Sequence, residues 1–254
     1  MKHYFVFLKK ELMEYARTYK LLILLAVFTI FGMTNPLIAK LTPDLLANFM
    51  PGGMTITIPE PTALDSWAQF FKNTQQMGLI VLLLVFSSVL AGEISKGTLI
   101  NLLTKGLMRQ AVIVAKYGAM LLVWSISVGL SAFLTWVYTA YLFPGDGVSQ
   151  LVFAVFCMWL FGAFLLAVLL AASTVAGGNY GGLLLTGLAV VALLTLNIVP
   201  GALKYNPVSL ASRSMELAAN AIDKSVLYPA VAVTIPAALG LIGIAVLVFR
   251  RKQI

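Results

Sequence analysis

The residues best placed to do chemistry sit between two apolar stretches, in the run Glu93, Ile94, Ser95, Lys96, Gly97, Thr98, Leu99. A carboxylate at a membrane is expensive unless paired, so Glu93 needs a cation, most simply Lys96 or a base across a subunit boundary. Gly97 suits the end of one helix and Thr98 the cap of the next, whose Leu99, Leu102, Leu103 and Leu107 share a face. Residues 97–109 therefore read as a short amphipathic helix, with Lys96, Lys105 and Arg109 extending their charges toward water. Other chemistry is thin. His3 is the single histidine and has no ligand partner, and Cys157, the single cysteine, lies inside an apolar run. No Gly-x-x-x-x-Gly-Lys-Ser/Thr loop cradles a triphosphate, and no Ser, His, Asp constellation suggests a nucleophile. The reading is of a non-enzyme with no cofactor or metal of its own. Glu93 is taken as the one acid within reach of a span, so proton relay and ion coupling are disfavoured. An intramembrane enzyme would need a catalytic pair that is not found.

The elements that must hold these residues follow from composition. The 254 residues are 61% hydrophobic and only 10% charged, with a mean hydropathy of +0.97. A soluble domain carries roughly a quarter charged residues. Apolar runs at 21–39, 75–92, 111–142, 151–173, 180–199 and 227–249 predict an all-α integral membrane protein with six transmembrane helices in a single domain, 1–254. The first run lacks a small-residue cleavage site and reads as a retained helix rather than a signal peptide. Alternation at period two, the mark of a β-barrel, is missing from the runs. The net charge of +8 reads as orientation beside anionic lipid rather than as affinity for nucleic acid. Lys2, Lys9, Lys10, Arg17, Lys20, Lys96, Lys105, Arg109, Lys116, Arg250, Arg251 and Lys252 fall on one side, against Lys40, Lys72, Lys204, Arg213 and Lys224 on the other. That imbalance puts both termini in the cytoplasm.

Three segments outside the spans carry further expectations. Residues 1–20 read as a basic amphipathic helix, an elbow on the membrane surface, with Phe5, Leu8, Leu12, Tyr15 and Tyr19 on its apolar face. Residues 40–74 form a long outer loop rich in proline and glycine. A strand is expected at 55–58, and a helix over 67–76, capped by Asp65 or Ser66, leads into the second span. Residues 201–224 hold an amphipathic stretch from Val208 to Ile222, with Leu210, Met215, Leu217 and Ala218 opposite Arg213, Glu216 and Asp223. Within the spans, Gly178 with Gly182, Ser125 with Gly129 and Ser127 with Ser131 have the spacing of close helix contacts. Pro236 is expected to bend the last span.

Glu93, then Lys96-Gly97-Thr98-Leu99, then Leu102-Leu103, Arg109 and Lys116 resemble the signature of bacterial ABC-2 type transporter permeases, and the layout of elbow helix, six spans and outer segment agrees with it. The resemblance implies a bacterial cytoplasmic membrane protein, the membrane-spanning subunit of an ATP-driven exporter. Residues 97–109 become the cytoplasmic coupling helix, docking on a separate ABC ATPase subunit present in two copies, which binds the ATP and Mg. Glu93, Lys96, Gly97, Thr98, Leu99, Leu102, Leu103, Lys105 and Arg109 take the coupling role. The linker 177–182 carries no charge, unlike a second coupling contact. The resemblance also implies a second permease copy, a homodimer or else a heterodimeric pair, with a path lined by the second and fifth spans at Val85, Ser88, Val89, Leu184, Leu188 and Val191. So apolar a lining suits a peptide, lipid or lipophilic antibiotic. The alternative reading is a membrane-embedded sensor or immunity protein that binds a toxin or lipid without transport, with 40–74 as its receptor surface.

Overall fold

The computed structural model describes residues 2–49, 60–90, 92–93, 97, 108–176, 180–199 and 201–251, with side chains in the first of these ranges described over 4–43. Among these residues every regular element is helical. Helix α1 is Lys2–Arg17, and α2 is Lys20–Phe49. Tyr19 joins them in the left-handed region, at φ 61°. Helix α3, Ala63–Asn73, passes through a π-helical turn, Thr74–Gly78, into α4, Leu79–Phe86. Then follow α5, Arg109–Leu142; α6, Leu151–Ala176; α7, Gly181–Leu196; the short α8, Val208–Ser212, and α9, Ser214–Ala218; and α10, Tyr228–Arg251. Four helices, α2 through its Lys20–Pro43 portion, α5, α6 and α10, are long and apolar enough to cross a membrane. The second apolar run begins within the π turn and continues as the eight-residue α4, and α7 has only 16 residues.

Of the expected outer loop 40–74, the described residues are largely helical. Helix α2 runs through Pro36 and Pro43 to Phe49, beyond the expected end at 39. Proline takes away the donor for the carbonyl four residues earlier. For Pro36 that carbonyl is Gly32's, and the Thr135 hydroxyl on α5 donates to it at 3.4 Å. A neighbouring helix thus supplies the missing bond, which is how prolines persist in apolar bundles. Helix α3 also starts earlier than expected. Thr62 is its N-cap and Asp65 its third residue, the Thr62 amide donating to Asp65 Oδ2 at 2.8 Å. The expected strand at 55–58 lies outside the described residues.

Helix α6 forms the axis of the bundle. It packs against α4, α5, α7, α10 and the α8–α9 pair, while α5 packs against α1 and α2. Two-thirds of the most apolar stretch of α6 is buried, against 17% of that of α10. A helix apolar on every side is the one that belongs at the centre. Small residues allow the close crossings. Gly162 on α6 faces the Trp124 ring so tightly that a Cβ would overlap it, and Gly182 on α7 stands likewise against Ser173. Trp124 Nε1 donates to the Trp159 carbonyl at 2.9 Å, and Trp159 Nε1 donates to Ser125 Oγ at 2.9 Å. Ser127 and Ser131 are buried, whereas Gly129 faces open space. The segment 201–224 lies on protein. Its helix breaks at Arg213 into α8 and α9, whose Leu210, Leu217 and Ala218 are buried and which pack on α6 and α3.

Gly162→Val drives branched carbons into the Trp124 ring and should cost about 1–3 kcal/mol, the range for overpacking. The measurement is the thermal unfolding midpoint of the detergent-purified protein followed by tryptophan fluorescence. An unshifted midpoint would contradict the α5–α6 packing.

Candidate functional site

A buried charge cluster joins α1, residue 93 and α5 at one end of the bundle. It begins with the face of α1 that turns inward, formed by Phe7, Glu11 and Tyr15 at four-residue spacing, all buried. Phe5 and Tyr19, expected on that face, are exposed. Glu11 is 0% exposed, Lys116 on α5 1% and Glu93 6%. Lys116 Nζ lies 3.0 Å from each Glu11 carboxylate oxygen and 2.7 Å from Glu93 Oε2. Lys10 Nζ meets Glu14 Oε2 at 2.7 Å and Glu11 Oε1 at 3.1 Å, and pairs directly with Glu93 Oε1. Among the described residues Glu93 is therefore paired with Lys10 and Lys116. Lys96 lies outside the described residues.

Aromatic faces roof the charges. Lys10 and Lys116 lie 5.1 and 5.8 Å from the Phe7 ring centroid, and Lys20 lies 5.6 Å from that of Tyr15. Tyr15 in turn packs on Phe86 of α4, with ring centroids 5.2 Å apart. Three carboxylates, of Glu11, Glu14 and Glu93, are thus met by two ammonium groups, of Lys10 and Lys116. The carboxylates approach within 4.8 Å of one another, a spacing a metal ion would also accept. Here the ammonium groups of Lys10 and Lys116 occupy that role.

The electrostatics follow from burial and pairing. Burial alone would raise the Glu93 carboxyl, but the charges and hydrogen bonds of Lys116 and Lys10 outweigh it and hold the group below its usual range. Burial alone would lower Lys10, but its bonds to Glu14 and Glu93 and the charge of Glu11 push it above the ordinary lysine value. Burial, reinforced by the neighbouring Glu11, Glu93 and Glu14, raises the Tyr15 phenol. These pairings fasten α1, residue 93 and α5 to one another.

The remaining candidates are distributed around this cluster. Gly97 lies in a turn with φ 65°, a conformation that favours glycine. Residues 98–107, including Thr98, Leu99, Leu102, Leu103 and Lys105, lie outside the described residues. Arg109 opens α5 and donates from Nη1 to the Phe249 and Arg250 carbonyls at 3.3 and 3.1 Å. A guanidinium there satisfies terminal carbonyls of α10 and opposes its dipole. Of the path residues, Val89 is buried in the core, Val85 is half-buried and Ser88 is exposed, while Leu184, Leu188 and Val191 are exposed on α7. Helices α4 and α7 both lean on α6 and do not form a packed pair with one another. No family model and no curated protein matches this chain.

Lys10, Glu11 and Glu14 were not singled out from the sequence. The available signal was Glu11 standing midway between Phe7 and Tyr15 at helical spacing, an acid on an aromatic face.

Lys116→Met leaves Glu11 buried without its main counter-charge and should cost about 3–5 kcal/mol, while adding Glu11→Leu to the same chain recovers part of the loss. Thermal melts of both variants decide it, and a double variant no more stable than the single would refute the pairing. The pH profile carries a sign. Stabilisation from the depressed Glu93 carboxyl is present above its ordinary value of 4.5 and is lost as pH falls through its folded value. Stabilisation from the raised Lys10 is present below 10.5 and is lost as pH climbs through its folded value. Melting temperature should therefore be level between these limits and fall outside them.

Proposed function

We propose that this chain is the membrane-spanning half of an ATP-driven exporter of the ABC-2 type, with six spans and both termini cytoplasmic. The carrying observation is that the described residues on either side of 94–108 are both fastened to the bundle. Glu93 is tied to α1 and α5, and Arg109 to the end of α10. A segment held at both ends by charge moves helices when it is moved, which is what a coupling helix must do. In this reading 97–109 docks on a separate ATPase subunit, two copies of which bind ATP and Mg, and the chain supplies the path but no nucleotide site.

The path forms between two copies of the chain in the bacterial cytoplasmic membrane. Exposed Leu184, Leu188 and Val191 on α7 suit an apolar lining, and with it an amphipathic or hydrophobic cargo such as a peptide, lipid or lipophilic antibiotic.

Purification from native membranes in mild detergent tests the partner. A P-loop ATPase should accompany the chain in equal amount and be lost when Leu102 and Leu103 are both replaced by Asp. Purification without any ATPase overturns the reading. Glu93→Ala should leave the complex assembled and hydrolysing ATP while export falls at least tenfold; export at the wild-type rate would remove the bracing role.

A further inference from the structure

The transporter reading leaves unused the corner where α1 meets α2. Helix α1 sorts its charges by side. Its two acids, Glu11 and Glu14, turn to Lys10 and Lys116. The opposite face is exposed and carries Phe5, Val6, Lys9, Met13 and Arg17, with no acid among them. Phe5, Lys9, Met13 and Arg17 follow at a step of four, so apolar and cationic groups alternate along one stripe. Lys9 and Arg17 form no ion pair and no side-chain hydrogen bond among the described residues. Lys20, at the corner itself, rests its Nζ 5.6 Å from the Tyr15 ring centroid and pairs with no described acid either. The positive end of the 30-residue α2 adds to these charges. Positive charge that no acid of the chain answers calls for an anion from outside it.

An open groove of about 570 Å3 leads away from this corner. Ala16 lines it from α1, and it follows α2 from Leu21 and Leu22 past Ala26 to Ile30, aliphatic throughout except at Thr29. Leu22 is 59% exposed and Ile30 57%, so the described residues leave the groove uncovered. Its length from Leu22 to Ile30 is about 12 Å. One leaflet of bilayer hydrocarbon is about 15 Å deep. The groove therefore starts beside cations and runs nearly a leaflet's depth along a helix long and apolar enough to cross a membrane. Those are the proportions of an anionic lipid, with charge at one end and a hydrocarbon chain along the helix.

We propose that the α1–α2 corner is a discrete site for one anionic phospholipid, its phosphate at Arg17 and one acyl chain in the groove along α2, with Lys9 adding to the attraction. The proposal rests on α2 crossing the membrane and not on the exporter reading. Any bilayer protein touches lipid, so what distinguishes a site is selectivity for the headgroup together with dependence on the groove.

Native mass spectrometry of the full chain in detergent, supplied with equimolar phosphatidylglycerol and phosphatidylcholine of matched chains, tests it. One phosphatidylglycerol should be retained per chain, favoured at least fivefold over phosphatidylcholine. Arg17→Gln should remove that preference and Arg17→Lys should keep most of it. Ala26→Trp, which fills the groove from an exposed position, should lower phosphatidylglycerol retention at least tenfold with the thermal midpoint unchanged. Absence of retained lipid, equal retention of the two lipids, or undiminished retention in both Arg17→Gln and Ala26→Trp overturns the proposal. Displacement of the lipid by an equal concentration of glycerol 3-phosphate also overturns it, because the groove would then contribute nothing. A second copy of the chain, or a co-purified protein, released by Ala26→Trp would put protein in the groove and overturn it too, whatever the outcome of the ATPase purification.

Discussion

Burying charge is the constraint on which the arrangement of this bundle depends. Glu11 and Lys116 are withdrawn almost wholly from solvent, and Glu93 nearly so. Each would lose several kcal/mol of hydration if buried alone. They are tolerated because every member has counter-charges within direct contact, and that requirement dictates geometry. Helix α1 cannot slide along α5 without separating Glu11 from Lys116, and the chain leaving α4 cannot drift without separating Glu93 from Lys10 and Lys116. Dispersion and small-residue packing hold the rest of the bundle but are forgiving of small shifts. The ion pairs are not, so they fix α1 in register, where an apolar contact would only hold it near.

The apolar bundle and the charged end divide the work between them. Around α6 the cohesion comes from close crossings such as Gly162 on Trp124 and from tryptophan N–H groups that reach carbonyl and hydroxyl oxygen across the helix pair. Hydrocarbon facing lipid gives no preference for one neighbour over another, so specificity in this region rests on shape and a few hydrogen bonds. At the charged end it rests on electrostatics. Arg109 extends the same logic to α10, where a single guanidinium meets the last carbonyls of a helix remote in sequence.

Much of the fold was legible in the sequence, and the failures have physical causes. Helices over Arg109–Leu142, Leu151–Ala176 and Tyr228–Arg251 match the expected spans within a few residues, because long unbroken apolar runs leave little choice. Helix α2 runs past its expected end: Pro43 and the prolines and glycines after it signal a loop, yet a proline inside this helix is tolerated, as Pro36 is with the Thr135 hydroxyl on the Gly32 carbonyl. Helix α3 starts before Asp65 because that carboxylate serves a cap at Thr62 instead of being one. The need of Glu93 for a cation was legible. Its partners were not, because Lys10 sits in a helix whose basic residues suggest a water-facing role, and only the fold brings it and Lys116 to residue 93.

The π turn at Thr74–Gly78 has an angular effect along its helix. Phe70, Thr74, Leu82, Phe86 and Leu90 are each buried, and Gly78 among them, a series with a constant step of four. In an ordinary α-helix four residues overshoot one turn by about 40°, so such a series would wind around the cylinder and emerge on the lipid side. The wider turn, in which the Leu79 amide reaches back five residues to the Thr74 carbonyl, takes up part of that drift. It acts as a phase correction between two helical segments, keeping an aromatic and hydroxyl-bearing stripe near Asn35 in line with the aliphatic stripe that carries Phe86 to Tyr15. Shortening the turn by one residue would rotate everything after it by about 100° and turn Phe86 and Leu90 away from the core.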